Sequence, residues 1–182
     1  MPISIVLIVV LICGYVALAF NNLIKQRNLS KEGWSAIDVQ LKRRHDLIPN
    51  LVEVVKAYTA HERETLTDVV KLRERSMAAV GVADKGDIEQ SISGDLKWIL
   101  AVVESYPDLK ADKNFRSLQA NLSSIEDDLQ YARRYYNGTV RDLNNVVESF
   151  PSNIIAFVFG FLKGEFFEIE YATERQNPDI AF

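Results

Sequence analysis

The first twenty residues carry no charged side chain, and this uncharged run constrains the chain more than any other feature. At about 1.5 Å of rise per helical residue, such a run spans about 30 Å, the thickness of the hydrocarbon core of a bilayer. The sequence after Asn22 is rich in charge and has helical periodicity. We therefore predict a transmembrane anchor over residues 1–22, in contact with membrane lipid, and one helical domain over residues 23–182.

A cleavable signal peptide is the alternative for this segment, because Ala17-Leu18-Ala19 fits the small-residue rule for a cleavage site. No Lys or Arg precedes the apolar run, however, and the run is longer than the usual core of a signal peptide. Leu11 and Ile12 precede Cys13, where lipidation would require small residues. We therefore expect the segment to be retained, with Cys13 as an inert residue facing lipid.

The charges beside the apolar run predict its orientation. Lys25, Arg27 and Lys31 follow it against Glu32, while its N-terminal side offers only the α-amino group. The positive-inside rule then places the N-terminus outside and the domain in the cytoplasm. A domain on the outer side of the membrane is the alternative.

Composition excludes several classes of site and partner. The single cysteine excludes an intramolecular disulfide and a cysteine-based zinc site. Residues 25–50 hold six basic and three acidic side chains, and the net charge of the chain is −4, so the remainder is strongly acidic. An acidic body argues against nucleic acid as a partner.

Apolar residues recur at a spacing of three and four along most of the chain, which indicates helices, and no alternating run indicates a strand. The expected class is all-α: the N-terminal transmembrane helix, then an elongated antiparallel bundle with long, coiled-coil-like helices. Pro49 leaves the carbonyl of His45 without its usual partner, which predicts a kink near residues 45–49. The expected elements are helices at about 27–79, 87–105 and 112–149, a short apolar segment at 152–167 and a tail at 168–182.

Two strings, Trp34 to Leu41 and Arg43 to Val52, closely resemble the signature of the LemA family of bacterial single-span membrane proteins. Gly33 stands where the family more often has Ala, which we expect to loosen a helix start by up to about 1 kcal/mol. Further matching strings follow in the family's order: His61-Glu62, Tyr106-Pro107, Leu109-Lys110-Ala111, Ala132-Arg133-Arg134-x-Tyr136-Asn137, Phe150-Pro151 and Phe166-Phe167-Glu168.

The resemblance implies a helical bundle behind an N-terminal anchor in a bacterial inner membrane. It also implies no established enzymatic activity, and a companion role beside other membrane proteins, including membrane zinc proteases. A membrane-anchored, self-associating scaffold or adaptor is therefore the expected function. The alternatives are an accessory protein of a membrane zinc protease and a hydrolase that uses a histidine.

The chain has two histidines, His45 and His61, each followed by a carboxylate. They lie more than about 20 Å apart on a continuous helix, and Thr65 stands where an H-E-x-x-H zinc motif needs its second histidine. We therefore expect hydrogen bonding at a helix surface or in the core. No catalytic, cofactor-binding or metal-binding residue is predicted.

A structural motif is expected around Arg44, which falls in the apolar stripe of its helix. A buried arginine is seldom left unpaired, so we expect an ion pair with Glu126, Asp127 or Asp128. A phosphate or protein-ligand site is the alternative. The residues assigned to this motif are Arg44, His45, Asp46, Pro49 and Asn50.

The segment from Ile154 to Leu162 is apolar on every side and, at nine residues, too short to cross a bilayer. It is either a core element at the end of the bundle or a contact between subunits, and a homo-oligomer is expected. The candidate contact residues, in this segment and just after it, are Phe157, Phe159, Phe161, Phe166 and Phe167.

Overall fold

A computed structural model describes residues 2–59 and 63–168. Within these ranges the chain is helical and contains no strand, which confirms the predicted all-α class. The helices of the described residues are α1 (Pro2–Lys56), α2 (Arg63–Ala78), α3 (Val82–Val103), α4 (Pro107–Ala111), α5 (Lys113–Glu148) and α6 (Ser152–Val158).

Helix α1 joins the uncharged segment and the following charged segment in one run. Gly33 therefore lies inside a helix and not at a helix start, contrary to the expectation from sequence. Pro49 is also inside α1, and the helix continues past it. The carbonyl of His45, which Pro49 deprives of its partner, accepts a hydrogen bond from Arg73 Nε at 2.7 Å. This substitute donor offsets the cost of proline within the helix.

The predicted helix over residues 27–79 is interrupted after Lys56, where residues 57–59 form a turn. The hydroxyl of Thr59 donates to the carbonyl of Val55 at 3.0 Å, and the hydroxyl of Tyr58 donates to Asp112 at 3.3 Å. Side-chain bonds of this kind compete with helix continuation. Neither Gly nor Pro occurs between Pro49 and Gly81, so no local breaker marks the interruption in the sequence.

Helix α5 begins at a side-chain cap and packs antiparallel to α1. The carboxylate of Asp112 accepts a hydrogen bond from the backbone N–H of Phe115 at 2.9 Å, and this bond is the main reason that the pKa of Asp112 lies below its usual value. Gly33 of α1 lies against Tyr136 of α5, and Leu23 lies in a cluster with Val146. Positions rise along α1 as they fall along α5, which is the register of an antiparallel pair.

The described residues form two compact units, and α1 and α5 contribute to both. The first unit comprises residues 2–39 and 129–166, and its core joins α1, α5 and α6. The second unit comprises residues 40–59, 63–128 and 167–168. Its core is built on buried residues of α1, α2 and α3, with Leu109 of α4 and Phe115 and Leu122 of α5.

Helix α6 is shorter than the predicted apolar segment. It ends at Val158, and Gly160 follows with a φ of 69°, a left-handed conformation that favours glycine and stops a helix. Residues 161–168 have no regular secondary structure, and the rest of the predicted tail, residues 169–182, lies outside the described residues.

Gly33 permits the close approach of α1 and α5, and its replacement tests that contact. A Cβ at position 33 would lie 3.0 Å from the Cα of Tyr136, so we expect Gly33→Leu to lower the free energy of unfolding by about 1–3 kcal/mol. A Cβ at Gly138 of α5 would have no heavy atom within 4 Å. Gly138→Leu should therefore leave the free energy of unfolding unchanged or raise it by up to about 1 kcal/mol. Chemical denaturation in detergent compares the two variants; equal effects would contradict the contact.

Candidate functional site

A buried polar cluster in the second unit contains the two central residues of the sequence motif. Arg44 and His45 enter it from α1, and Glu89 enters from α3. Arg44 is 1% exposed and Glu89 is fully buried. Ser76 of α2 and Ser93 of α3, also buried, complete the cluster.

Glu89 accepts hydrogen bonds on both carboxylate oxygens. Its Oε1 lies 2.6 Å from Nε2 of His45 and also accepts from the hydroxyl of Ser76. Its Oε2 accepts from Nη1 of Arg44 at 3.4 Å. One carboxylate therefore links α1, α2 and α3.

Arg44 has further partners beyond Glu89. Its Nη2 donates to the hydroxyl of Ser93 at 2.7 Å, and Ser93 in turn donates to the backbone carbonyl of Glu89 at 3.0 Å. Nη2 also lies 3.7 Å from Oε2 of Glu126 on α5. Nε of Arg44 is buried without a hydrogen-bond partner. Glu126 is one of the three carboxylates expected to pair with Arg44, but the buried partner is Glu89, which was not among the three.

The pKa of Glu89 is lower than its usual value although the residue is buried. Burial is the largest single influence and raises the pKa, because it disfavours the charged form. Hydrogen bonds from His45 and Ser76 and the positive charge of Arg44 act in the opposite direction and together outweigh it. At neutral pH Glu89 is therefore ionised and only accepts hydrogen bonds, and Nε2 of His45 is placed to donate to it.

This arrangement leaves little capacity for chemistry. His45 is 5% exposed and its Nε2 is engaged by Glu89, so the nitrogen is not presented to a substrate. Within residues 2–59 and 63–168, no group of three or more His, Cys, Asp or Glu side chains is arranged to hold a metal ion. The cluster has the features of a structural ion pair with satisfied carboxylate oxygens.

The other motif residues and the second histidine are placed differently. Asp46, Pro49 and Asn50 are exposed on α1 and do not enter the cluster. His61, the other residue of the hydrolase hypothesis, lies outside the described residues.

The five phenylalanines expected at a subunit contact separate into two groups. Phe161 lies in the core of the first unit, and Phe167 is fully buried in the second, so neither is available to a partner. Phe157 is 88% exposed, and Phe159 and Phe166 are partly exposed. A run that is apolar on every side has no periodicity from which the buried members could be predicted.

Glu89 was missed, although the sequence contains a signal for it. It precedes Ile92 by three positions and Leu96 by seven, so it lies on the apolar stripe of α3, just as Arg44 lies on that of α1. Two opposite charges that interrupt apolar stripes favour a buried pair. Ser76 and Arg73 have no comparable signal.

Comparison with known proteins identifies the family of this chain. A sequence model of the LemA family matches residues 33–182. The chain belongs to the LemA family. Protein LemA of Metamycoplasma hominis is 26% identical to this LemA-family protein over 165 residues, covering 88% of this chain and 72% of the relative. Magnetosome protein MamQ 2 of Paramagnetospirillum magneticum is 23% identical over 189 residues, covering 90% of this chain and 70% of the relative.

The first helix of this LemA-family protein is suited to a membrane. Among the described residues, α1 is the helix long and apolar enough to cross one. Its apolar side chains from Ile3 to Ile12 are all at least half exposed, so the protein itself does not cover them. Together with the LemA and MamQ relatives, this helix indicates a membrane-associated protein.

Proposed function

We propose that this LemA-family protein is a membrane-anchored, self-associating scaffold or adaptor that organises partners at the membrane and catalyses no reaction. The closed cluster around Glu89 carries the proposal. The cluster uses His45 to join α1 to α3, and a hydrolase based on His45 would need that side chain to reach a substrate.

The rival hydrolase is tested by a double variant, His45→Gln with His61→Gln. Glutamine is chosen because its amide can donate to Glu89 in place of Nε2. We expect the variant to restore any phenotype of a strain that lacks the protein, at matched protein abundance and with an unchanged helical circular dichroism spectrum. Loss of the phenotype with fold and abundance intact would support catalysis and contradict the scaffold.

The proposed orientation places the domain in the cytoplasm of a bacterial inner membrane. Lys25, Arg27 and Lys31 follow the uncharged segment and support this side. In a Cys13→Ser background, Val80→Cys offers a thiol at a position that is 97% exposed. We expect a membrane-impermeant thiol reagent to label it in lysed cells and not in intact cells. Labelling of intact cells would place the domain outside.

Self-association is the finer part of the proposal. Phe161 and Phe167 are buried and do not contribute to a contact between copies, and self-association is proposed without assigning it to the exposed Phe157, Phe159 or Phe166. The mass of the full chain in detergent, corrected for bound detergent, tests it directly. More than one copy per particle over a range of dilution supports self-association, and a single copy throughout contradicts it. For the alternative, an adaptor of a membrane protease, we expect the purified chain to retain that protease.

A further inference from the structure

Helix α6 packs against the end of the uncharged segment of α1. Ile155, Ala156 and Phe161 lie in one cluster with Ala19 and Leu23 of α1. The ring of Phe20 meets those of Phe159 and Phe161 edge to face, with centroids 4.9 and 5.7 Å apart. The position of α6 relative to α1 is therefore fixed by a packed core within the first unit.

The opposite side of α6 and its flanks expose large apolar side chains. We name residues 150–162 the α6 tip. Its exposed large apolar members are Phe150 (79%), Ile154 (56%), Phe157 (88%), Val158 (67%), Phe159 (53%) and Leu162 (83%). Large exposed apolar side chains grouped within a few residues of one another point to a surface that binds protein or membrane.

The depth of the tip follows from its contacts with α1. Phe159 lines an apolar groove of about 360 Å³ with Ile12, Cys13, Val16, Ala17 and Phe20. All five positions belong to the segment that spans the hydrocarbon core when α1 crosses the membrane. When α1 crosses the membrane, Phe159 therefore lies at the depth of the lipid chains.

The neighbourhood of the tip changes from apolar to polar over a short distance along α1. A second groove, lined by Tyr15, Leu18 and Ala19, also contains the polar residues Asn22, Asn145, Ser149 and Ser152. The guanidinium of Arg27 lies 5.1 Å from the centroid of the Phe161 ring, and Lys163 forms an ion pair with Glu148. Polar and basic groups directly behind apolar aromatic side chains are typical of the headgroup layer of a bilayer.

We propose that the α6 tip is inserted in the lipid of the membrane surface beside the anchor, with Phe157, Val158 and Leu162 among the acyl chains. The inference rests on the proposed anchoring through α1. We assign lipid as the partner of the exposed side chains of the tip, because α6 packs on residues 16–24 and therefore meets the bilayer together with α1. The tip gives the first unit a second, non-covalent attachment to the membrane surface.

Site-directed spin labelling of the full chain in phosphatidylcholine and phosphatidylglycerol vesicles tests this insertion. In the Cys13→Ser background, a nitroxide is placed at Phe157→Cys or Leu162→Cys. The matched control is Tyr131→Cys, at an exposed position about 26 Å along α5 from Glu148, the last residue of that helix. Ile8→Cys reports the anchor. Oxygen concentrates in lipid and a nickel chelate stays in water, so the ratio of their collision rates with the label reports depth. We expect this ratio to be several-fold higher at positions 157 and 162 than at position 131.

Three other outcomes would overturn the inference in distinguishable ways. Ready collision with the nickel chelate at position 157, with position 8 in lipid, would place the tip in water and leave the anchoring intact. Protection of position 157 from both reagents, with spectral broadening by neighbouring labels, would show that a second copy covers it. Exposure of position 8 to the chelate would refute the anchoring itself. Unchanged circular dichroism confirms that the labelled chains remain folded, since both side chains are exposed.

Discussion

Replacement of Glu89 by Gln is expected to lower the free energy of unfolding by about 3–5 kcal/mol. The substitution keeps the size of the side chain but leaves Arg44, 1% exposed, without its buried counter-charge. Glu126 lies 3.7 Å from Arg44, and its side chain is 37% exposed to solvent, so it compensates only in part. Chemical denaturation of the full chain in detergent measures the loss.

Glu126→Gln is the matched control, because it removes a charge from the same arginine at a partly exposed position. We expect it to cost less than about 1 kcal/mol. The combination of Arg44→Met with Glu89→Gln should cost less than the two single changes added together, because neither buried charge is then left unpaired. Simple additivity, or equal effects of the two Gln variants, would contradict the buried pair.

The same carboxylate predicts a pH dependence. The pKa of Glu89 is lower in the folded state than its ordinary value of 4.5, so its contribution to stability is complete above that pH. The contribution is lost as the pH falls through the folded-state pKa. The stability difference between the wild-type chain and Glu89→Gln should therefore be largest near neutral pH and shrink below about pH 4.5. A difference that stays constant or grows in acid would show that another group is responsible.

Replacement of Phe167 by Ala is the second substitution with a large expected effect. Phe167 is fully buried, so its loss should lower the free energy of unfolding by about 3–5 kcal/mol. Its ring lies 3.7 Å from where a Cβ of Gly86 would be, and the carbonyl of Glu168 lies 2.9 Å from the same point. The absence of a side chain at Gly86 thus admits this segment to the second unit.

Phe157→Ala is the control for Phe167→Ala, since it removes the same side chain from a position that is 88% exposed. We expect it to change the free energy of unfolding in detergent by less than about 0.5 kcal/mol. A larger loss from Phe157→Ala than from Phe167→Ala would contradict the division of the phenylalanines into core and tip.

Local patterns were sufficient to predict most of the fold. The all-α class and the long helix α5 follow from apolar spacing that holds over 36 residues. The interruption after Lys56 could not be predicted, because it depends on bonds of Tyr58 and Thr59 and not on Gly or Pro. At residues 57–59, tertiary contacts therefore override the local preference for a helix.

The site was predictable in part. The burial of Arg44 was predictable because its charge interrupts an apolar stripe. Its buried partner was not, because Glu89 is 45 positions away and only the packing of α1 against α3 distinguishes it from other acidic residues. In the apolar run of the tip, no charge or polar residue distinguishes buried positions from exposed ones. Phe157 and Phe161 are equally apolar, and only the contact of α6 with Leu23 and Phe20 distinguishes an exposed ring from a buried one.

The central claim, a non-catalytic scaffold at the membrane, is tested most directly by cross-linking in native membranes followed by quantitative mass spectrometry. The full chain is compared with the His45→Gln, His61→Gln variant and with an unrelated domain fused to residues 1–22. We predict that both full chains recover the same membrane proteins in equal amounts, well above the fusion. The scaffold would be contradicted if the full chains recovered no more membrane proteins than the fusion does, and if the wild-type chain but not the double histidine variant turned over a substrate.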